Sequence, residues 1–173
     1  SYNVINGRQY DLTIEQFGDE AGSLVFDNSN PQSREVHFAK EEKYERYLLL
    51  KDALQKYGIE VIITRDNQKN DLGLEARGRK SKGCDLFLSI HSNACDDPRQ
   101  DHPLACCTVT HKADELGQKL ADTVAVVMDT NQNGRYINKA QGDGRDWYGV
   151  LRGAASVGTP GILLEHSFHT NLR

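Results

Sequence analysis

Two histidines and two glutamates stand where this sequence could do chemistry. His91 follows the apolar run Leu86-Phe87-Leu88-Ser89-Ile90, and Glu165 follows Ile162-Leu163-Leu164, with His166 directly after it. A carboxylate set at the end of an apolar strand costs free energy unless it is paired or used. Taken singly, each residue reads as an ordinary strand-end side chain. An imidazole and a carboxylate at two such ends together point to a site, because open α/β sheets gather ligands beyond the carboxyl ends of their strands. The other pair is His37 and Glu41, four residues apart and so on one face of a helix. Imidazole nitrogen and carboxylate oxygen both bind zinc, and three protein ligands plus water is its usual catalytic arrangement. The spacing is also common on solvated helices, and Glu35, Glu42 and Glu45 crowd the same stretch.

Alternating strands and helices must hold these residues. Val4 to Tyr10 contains the Asn6-Gly7 step of a two-residue hairpin. Ser23-Leu24-Val25-Phe26 is a short apolar run that ends in the turn-rich Asp27-Asn28-Ser29-Asn30-Pro31. Tyr44, Tyr47, Leu48, Leu50, Leu54 and Tyr57 recur at helical spacing from Phe38 to Tyr57, and Gly58 stops the helix. Ile59 to Thr64 is β-branched and reads as a strand. Further helices are expected over Leu74–Lys82, Ala113–Met128 and Tyr148–Val157, and further strands over Asp85–Ile90, Cys106–Thr110 and Gly161–Leu164. Asn131 to Asp146, rich in Asn, Gly and Asp, reads as loop, as does Asn93 to Pro103. The order predicts an α/β fold, with a single open twisted, mostly parallel sheet flanked by helices on both faces.

Composition narrows the function classes. The 173 residues suit one domain. Of these, 38% are hydrophobic and 27% are charged. A core can therefore form, and default disorder is excluded. Lys and Arg number 21 against 25 Asp and Glu, for a net charge of -4 with no long basic run. No nucleic-acid partner is expected from that balance. No apolar stretch approaches the ~18 residues of a spanning helix, and no membrane partner is expected. The four cysteines match no zinc-binding spacing and read as small core or surface residues, with one bridge as the lesser alternative.

The residues carry a resemblance. Asp85-Leu86-Phe87-Leu88-Ser89-Ile90-His91-Ser92-Asn93-Ala94 resembles the signature of zinc-dependent N-acetylmuramoyl-L-alanine amidases of the amidase-3 family. So does Pro160-Gly161-Ile162-Leu163-Leu164-Glu165-His166-Ser167-Phe168-His169-Thr170-Asn171. Val150-Leu151-Arg152 precedes the last strand at a similar spacing. Upstream, Glu41-Glu42-Lys43-Tyr44, Gly58, Val61-Ile62-Ile63-Thr64-Arg65, Leu74 and Arg77 keep the family's order. The similarity covers roughly Gly22 to Arg173. It implies a catalytic domain over 22–173, without the family's final helix, preceded by an extension over 1–21.

What the resemblance implies is zinc-dependent hydrolysis of the amide between N-acetylmuramic acid and L-alanine of peptidoglycan. By position, His91 and Glu41 become zinc ligands, with Glu42 the alternative to Glu41, and Glu165 becomes the catalytic carboxylate. Arg152 is expected to support the oxyanion or to form a structural salt bridge. His166 and His169 orient Glu165, contact substrate or serve structure. One departure concerns the first ligand: the family's loop reads Asp-Pro-Gly-His-Gly-Gly, and Asn30 stands where its histidine is expected. An amide oxygen is a poor zinc ligand, so His37 is assigned the role. The long loops are expected at the active edge; Trp147 and Tyr148 can stack on a sugar face there, although core packing is the more ordinary fate of such rings. A monomer working outside the cell or in the wall, secreted or phage-delivered, completes the expectation. Its rivals are another zinc peptidase, a non-catalytic peptidoglycan-binding domain and a plain scaffold.

Overall fold

The structure, a computed structural model, describes residues 48–64, 72–168 and 170–171, and the strand backbone of 2–5 and 8–11. Two units, Ser1–Asp71 and Leu72–Arg173, are internally compact. In the first unit, β1 (Tyr2–Ile5) and β2 (Arg8–Asp11) pair antiparallel, with Ile5 opposite Arg8. Residues 48–55 are helical (α1), and Gly58 follows at φ +76°. That conformation is open to glycine and unfavourable for a side chain.

Residues 59–63, which their β-branched run marks as a strand, have no ladder partner among the described residues and are not a strand. Propensity alone cannot make one, since an extended segment needs a neighbour for its N–H and C=O groups. The run at 23–26, the helix from 38 to 47, His37, Asn30, Glu41, Glu42, Arg65 and His169 lie outside the described residues.

The second unit holds α2 (Leu74–Arg79), β3 (Phe87–Asn93), β4 (Leu104–Cys107), α3 (Asp114–Val127), β5 (Arg135–Asn138), α4 (Gly149–Ala155) and β6 (Gly161–Phe168). Its sheet runs β3-β6-β4-β5. The β3–β6 and β4–β5 pairs are parallel and β4–β6 is antiparallel, so the sheet is mixed, with the parallel pairings in the majority. β5 lies inside a segment expected to be loop. Its Arg135-Tyr136-Ile137-Asn138 is short and flanked by Asn and Gly, which hides the alternation.

The pleat divides the core in two. Phe87, Leu104, Cys106, Ile137 and Leu163 point to one face and meet Val150, Leu151 and Ala154 of α4. Ala105, Cys107, Ile162 and Leu164 point to the other and meet Ala121, Leu120 and Val124 of α3. Neighbouring Cys106 and Cys107 thus serve opposite cores, as period two requires. All four cysteines are free thiols. α2 closes over α4 at backbone contact: a Cβ on Gly78 would overlap the Val150 carbonyl oxygen, and one on Gly153 would overlap that of Glu75.

Candidate active site

The strands do not stop before the two candidate residues, as their apolar runs suggested. β3 continues through His91 to Asn93, and β6 through Glu165 to Phe168. In the parallel register His91 faces Glu165, and in the antiparallel one Leu104 faces Glu165. Glu165 therefore sits in the middle of the sheet, with an imidazole-bearing residue on one side. Alternation puts both on the α4 face, in line with Leu163, Ser89 and Phe87. Just beyond, three steps of β6 match two of β3, so β6 bulges immediately after Glu165. Such bulges bend a strand and re-aim its side chains.

The electrostatics single out the same residue. Glu165 Oε2 is sealed from solvent and has no hydrogen-bond partner among the described residues. Burial pushes its carboxyl up to about 7. A buried carboxylate oxygen left unpaired is costly, and such a group is a candidate for chemistry. One position down the same face, the Cys106 thiol and Tyr148 hydroxyl lie within electrostatic reach of each other and of Glu165. Burial raises both, the thiol to about 11. The wall beneath the carboxylate is thus neutral at ordinary pH.

The other expected residues fall differently. Arg152 of α4 donates to Glu75 Oε1 (2.9 Å) and to the carbonyls of Asp146 (3.0 Å) and Trp147 (2.6 Å). It ties α4 to α2, and no contact to Glu165 is described. His166 shares a 2.8 Å hydrogen bond with Ser167.

A buried polar knot that sequence reading missed closes this end of the sheet. His102 Nδ1 lies 2.9 Å from Gln132 Oε1, and its ring meets Phe168 at 5.0 Å. Asp101 Oδ2 accepts the Asn131 N–H at 2.8 Å. Its one signal in the sequence is Asp101-His102-Pro103 leading into an apolar strand.

The two aromatic residues part company, and the 131–146 loop does not reach the edge expected for it. β5 ends beside Cys107, which itself faces Ile162, so the chain leaves β5 at the end of the sheet away from Glu165. Residues 139–147 form a hairpin there, closed by the Ala140–Asp146 bridge. Trp147 belongs to that far end and Tyr148 packs into the core. The 93–103 loop does lie at the Glu165 end, since it connects β3 to the start of β4.

Residues 29–173 match the family model described as N-acetylmuramoyl-L-alanine amidase (Amidase_3). The chain belongs to that amidase family. Among solved structures, Cwp6 from Clostridium difficile is similar with a TM-score of 0.55 and 20% identity, over 99% of this chain and 22% of that one. The catalytic domain of CwlV, an N-acetylmuramoyl-L-alanine amidase from Bacillus (Paenibacillus) polymyxa var. colistinus, gives 0.48 and 19%, over 72% and 64%. The CwlD amidase from Clostridioides difficile, solved with the GerS lipoprotein, gives 0.46 and 20%, over 72% and 67%. The chain spans less than two thirds of the Cwp6 and CwlV chains. No curated protein sequence matches.

For the amidase family's metal, the donor chemistry fits in part. His91 is paired in register with Glu165, whose Oε2 has no hydrogen-bond partner among the described residues. Among the described residues no three His, Cys, Asp or Glu side chains converge. His37 and Glu41, the remaining expected ligands, lie outside them.

Proposed function

We propose that this chain is a zinc-dependent peptidoglycan amidase that hydrolyses the bond between the lactyl group of N-acetylmuramic acid and L-alanine. The observation that carries the reading is the unpaired, desolvated Glu165 carboxylate in register with His91, in a chain of the amidase family. His91, with Glu41 and His37, is the set assigned to hold zinc. When bound, zinc would supply positive charge beside the substrate carbonyl and the attacking water.

The chain's own part is proton management. Glu165 accepts a proton from water as its oxygen bonds to the amide carbon. It then delivers that proton to the nitrogen as the carbon–nitrogen bond breaks, and the water's second proton passes from the new lactyl carboxyl to the released amine, leaving a carboxylate and a protonated L-alanine amino terminus. A carboxyl titrating near neutrality suits both halves of this work. The neutral Cys106–Tyr148 wall keeps other charges from pairing with Glu165. The polar knot at Asp101 and His102 holds the loops around the site. The protein would act as a monomer on the wall, outside the cell.

Zinc content of the purified protein, measured beside release of soluble murein fragments, tests the reading. One zinc per chain and fragments with new L-alanine amino termini are expected, and Glu165→Gln should release none. Binding to sacculi without zinc or release would favour a wall-binding domain, a reading to which Asn30 in the first ligand's place lends weight. Arg152→Lys separates its two roles. Tethering predicts a lower melting temperature with kcat retained in the folded fraction, whereas oxyanion support predicts a loss of kcat in a stable protein.

A further inference from the structure

The far end of the sheet carries a feature that the proposed reaction does not use. Trp147, the chain's one tryptophan, is 51% exposed although its backbone is fixed on both sides. Its N–H donates to the Lys139 carbonyl at 2.8 Å, and its own carbonyl accepts from Arg152 at 2.6 Å. The hairpin is closed again by the Gln141 N–H on the Arg145 carbonyl at 2.7 Å, with Gly144 at φ +81° in the turn. Lys139 Nζ stands 4.3 Å from the ring centroid, and no carboxylate is paired with it among the described residues. A large aromatic ring held rigid, half in solvent, and lined by an unneutralised ammonium is a platform rather than a core residue.

Its chemistry selects a class of ligand. An indole face takes the C–H face of a pyranose. Lys139 supplies a donor for ring hydroxyls and acetamido oxygens, while Arg145 in the hairpin turn is held by Asp143 at 2.7 Å. Lys139 lies four residues past the level of Glu165 along the strand direction, and two strands across the sheet. Four residues of extended chain span roughly 13 Å. A sugar on Trp147 is therefore not the one whose lactyl amide is cut, yet a glycan strand of several rings is long enough to reach both places. We propose that Lys139 and Trp147 form a second carbohydrate contact, which holds the glycan backbone away from the scissile amide. The choice of glycan rests on the peptidoglycan reading above.

Because the chain has a single tryptophan, its fluorescence reports this place alone. Titration of the full chain with a peptide-free β-1,4-linked N-acetylglucosamine oligomer should shift or quench the emission saturably. Trp147→Ala and Lys139→Gln should each weaken retention on peptide-stripped glycan strands about tenfold, a factor that one lost contact of this kind supplies. The Lys139 variant leaves the hairpin backbone intact and decides the matter if the Trp147 variant does not fold. Glu165→Gln should bind the oligomer as the parent does while losing cleavage. Its retention of cleavage would overturn the amidase reading and not this one. No emission change with the oligomer, a response only to an anionic polymer such as polyglutamate, or unaltered retention by a folded Lys139→Gln variant would overturn the second contact.

Discussion

Folding works against the ionisation of Glu165. Its carboxyl titrates near 7 in the folded chain against an ordinary 4.5, so between those values the native state keeps a proton that the unfolded state has released. Stability is therefore full below about 4.5 and falls as pH rises toward 7, by on the order of 3 kcal/mol if burial acts alone. Glu165→Gln removes the ionisation and keeps the shape. In metal-free protein its melting temperature should exceed the parent's at pH 8 and match it near pH 4.5; a variant less stable at pH 8 would show that the carboxylate has a partner. Burial also raises the Cys106 and Cys107 thiols, to about 11 and 12. With a disulfide reagent at pH 8, half-buried Cys84 and Cys95 should react in the native protein, and the other two only after unfolding. Fast reaction of all four would contradict the packing. At this scale the placing of His91 and Glu165 on two sheet strands was legible, because each follows an apolar run. Tyr148 on Cys106 and His102 on Gln132 were not, since nothing local announces a partner 30 or more residues away.

Between elements, the closest approach is α2 on α4. Glycines at 78 and 153 let the backbones touch, and Arg152 to Glu75 locks the crossing at 2.9 Å. Helix propensity alone predicts that alanine at either glycine stabilises by about 1 kcal/mol. The contact predicts the opposite sign, because neither carbonyl can retreat: Gly78→Ala and Gly153→Ala should each cost about 1–3 kcal/mol in chemical denaturation. A gain in stability would mean that the helices are not apposed. The alternation of strands and helices was readable from residue 72 onward because apolar runs and glycine stops are strong there. β5 was not, being four residues long among Asn and Gly. Residues 59–63 show the converse error, in which β-branching marks a strand that has no neighbour to pair with among the described residues.

On the scale of the molecule, the Leu72–Arg173 unit is a mixed sheet between two helical layers, with Glu165 in an inner strand and Trp147 at the opposite end. No helix among the described residues is long and apolar enough to cross a membrane. The net charge of -4 offers no attraction to an anionic wall. Contact through neutral sugar rings is a route to the wall that does not depend on charge. The proposed reaction requires first that Glu165 makes the amide bond labile. The direct measurement is amino-terminal analysis of murein digested by the parent and by Glu165→Gln, at equal zinc and equal folded fraction. New L-alanine amino termini are expected with the parent, and with the variant a loss of about a thousandfold or more in their rate of appearance, at the scale general-base removal gives. Equal release by both proteins, or termini other than L-alanine, would contradict it.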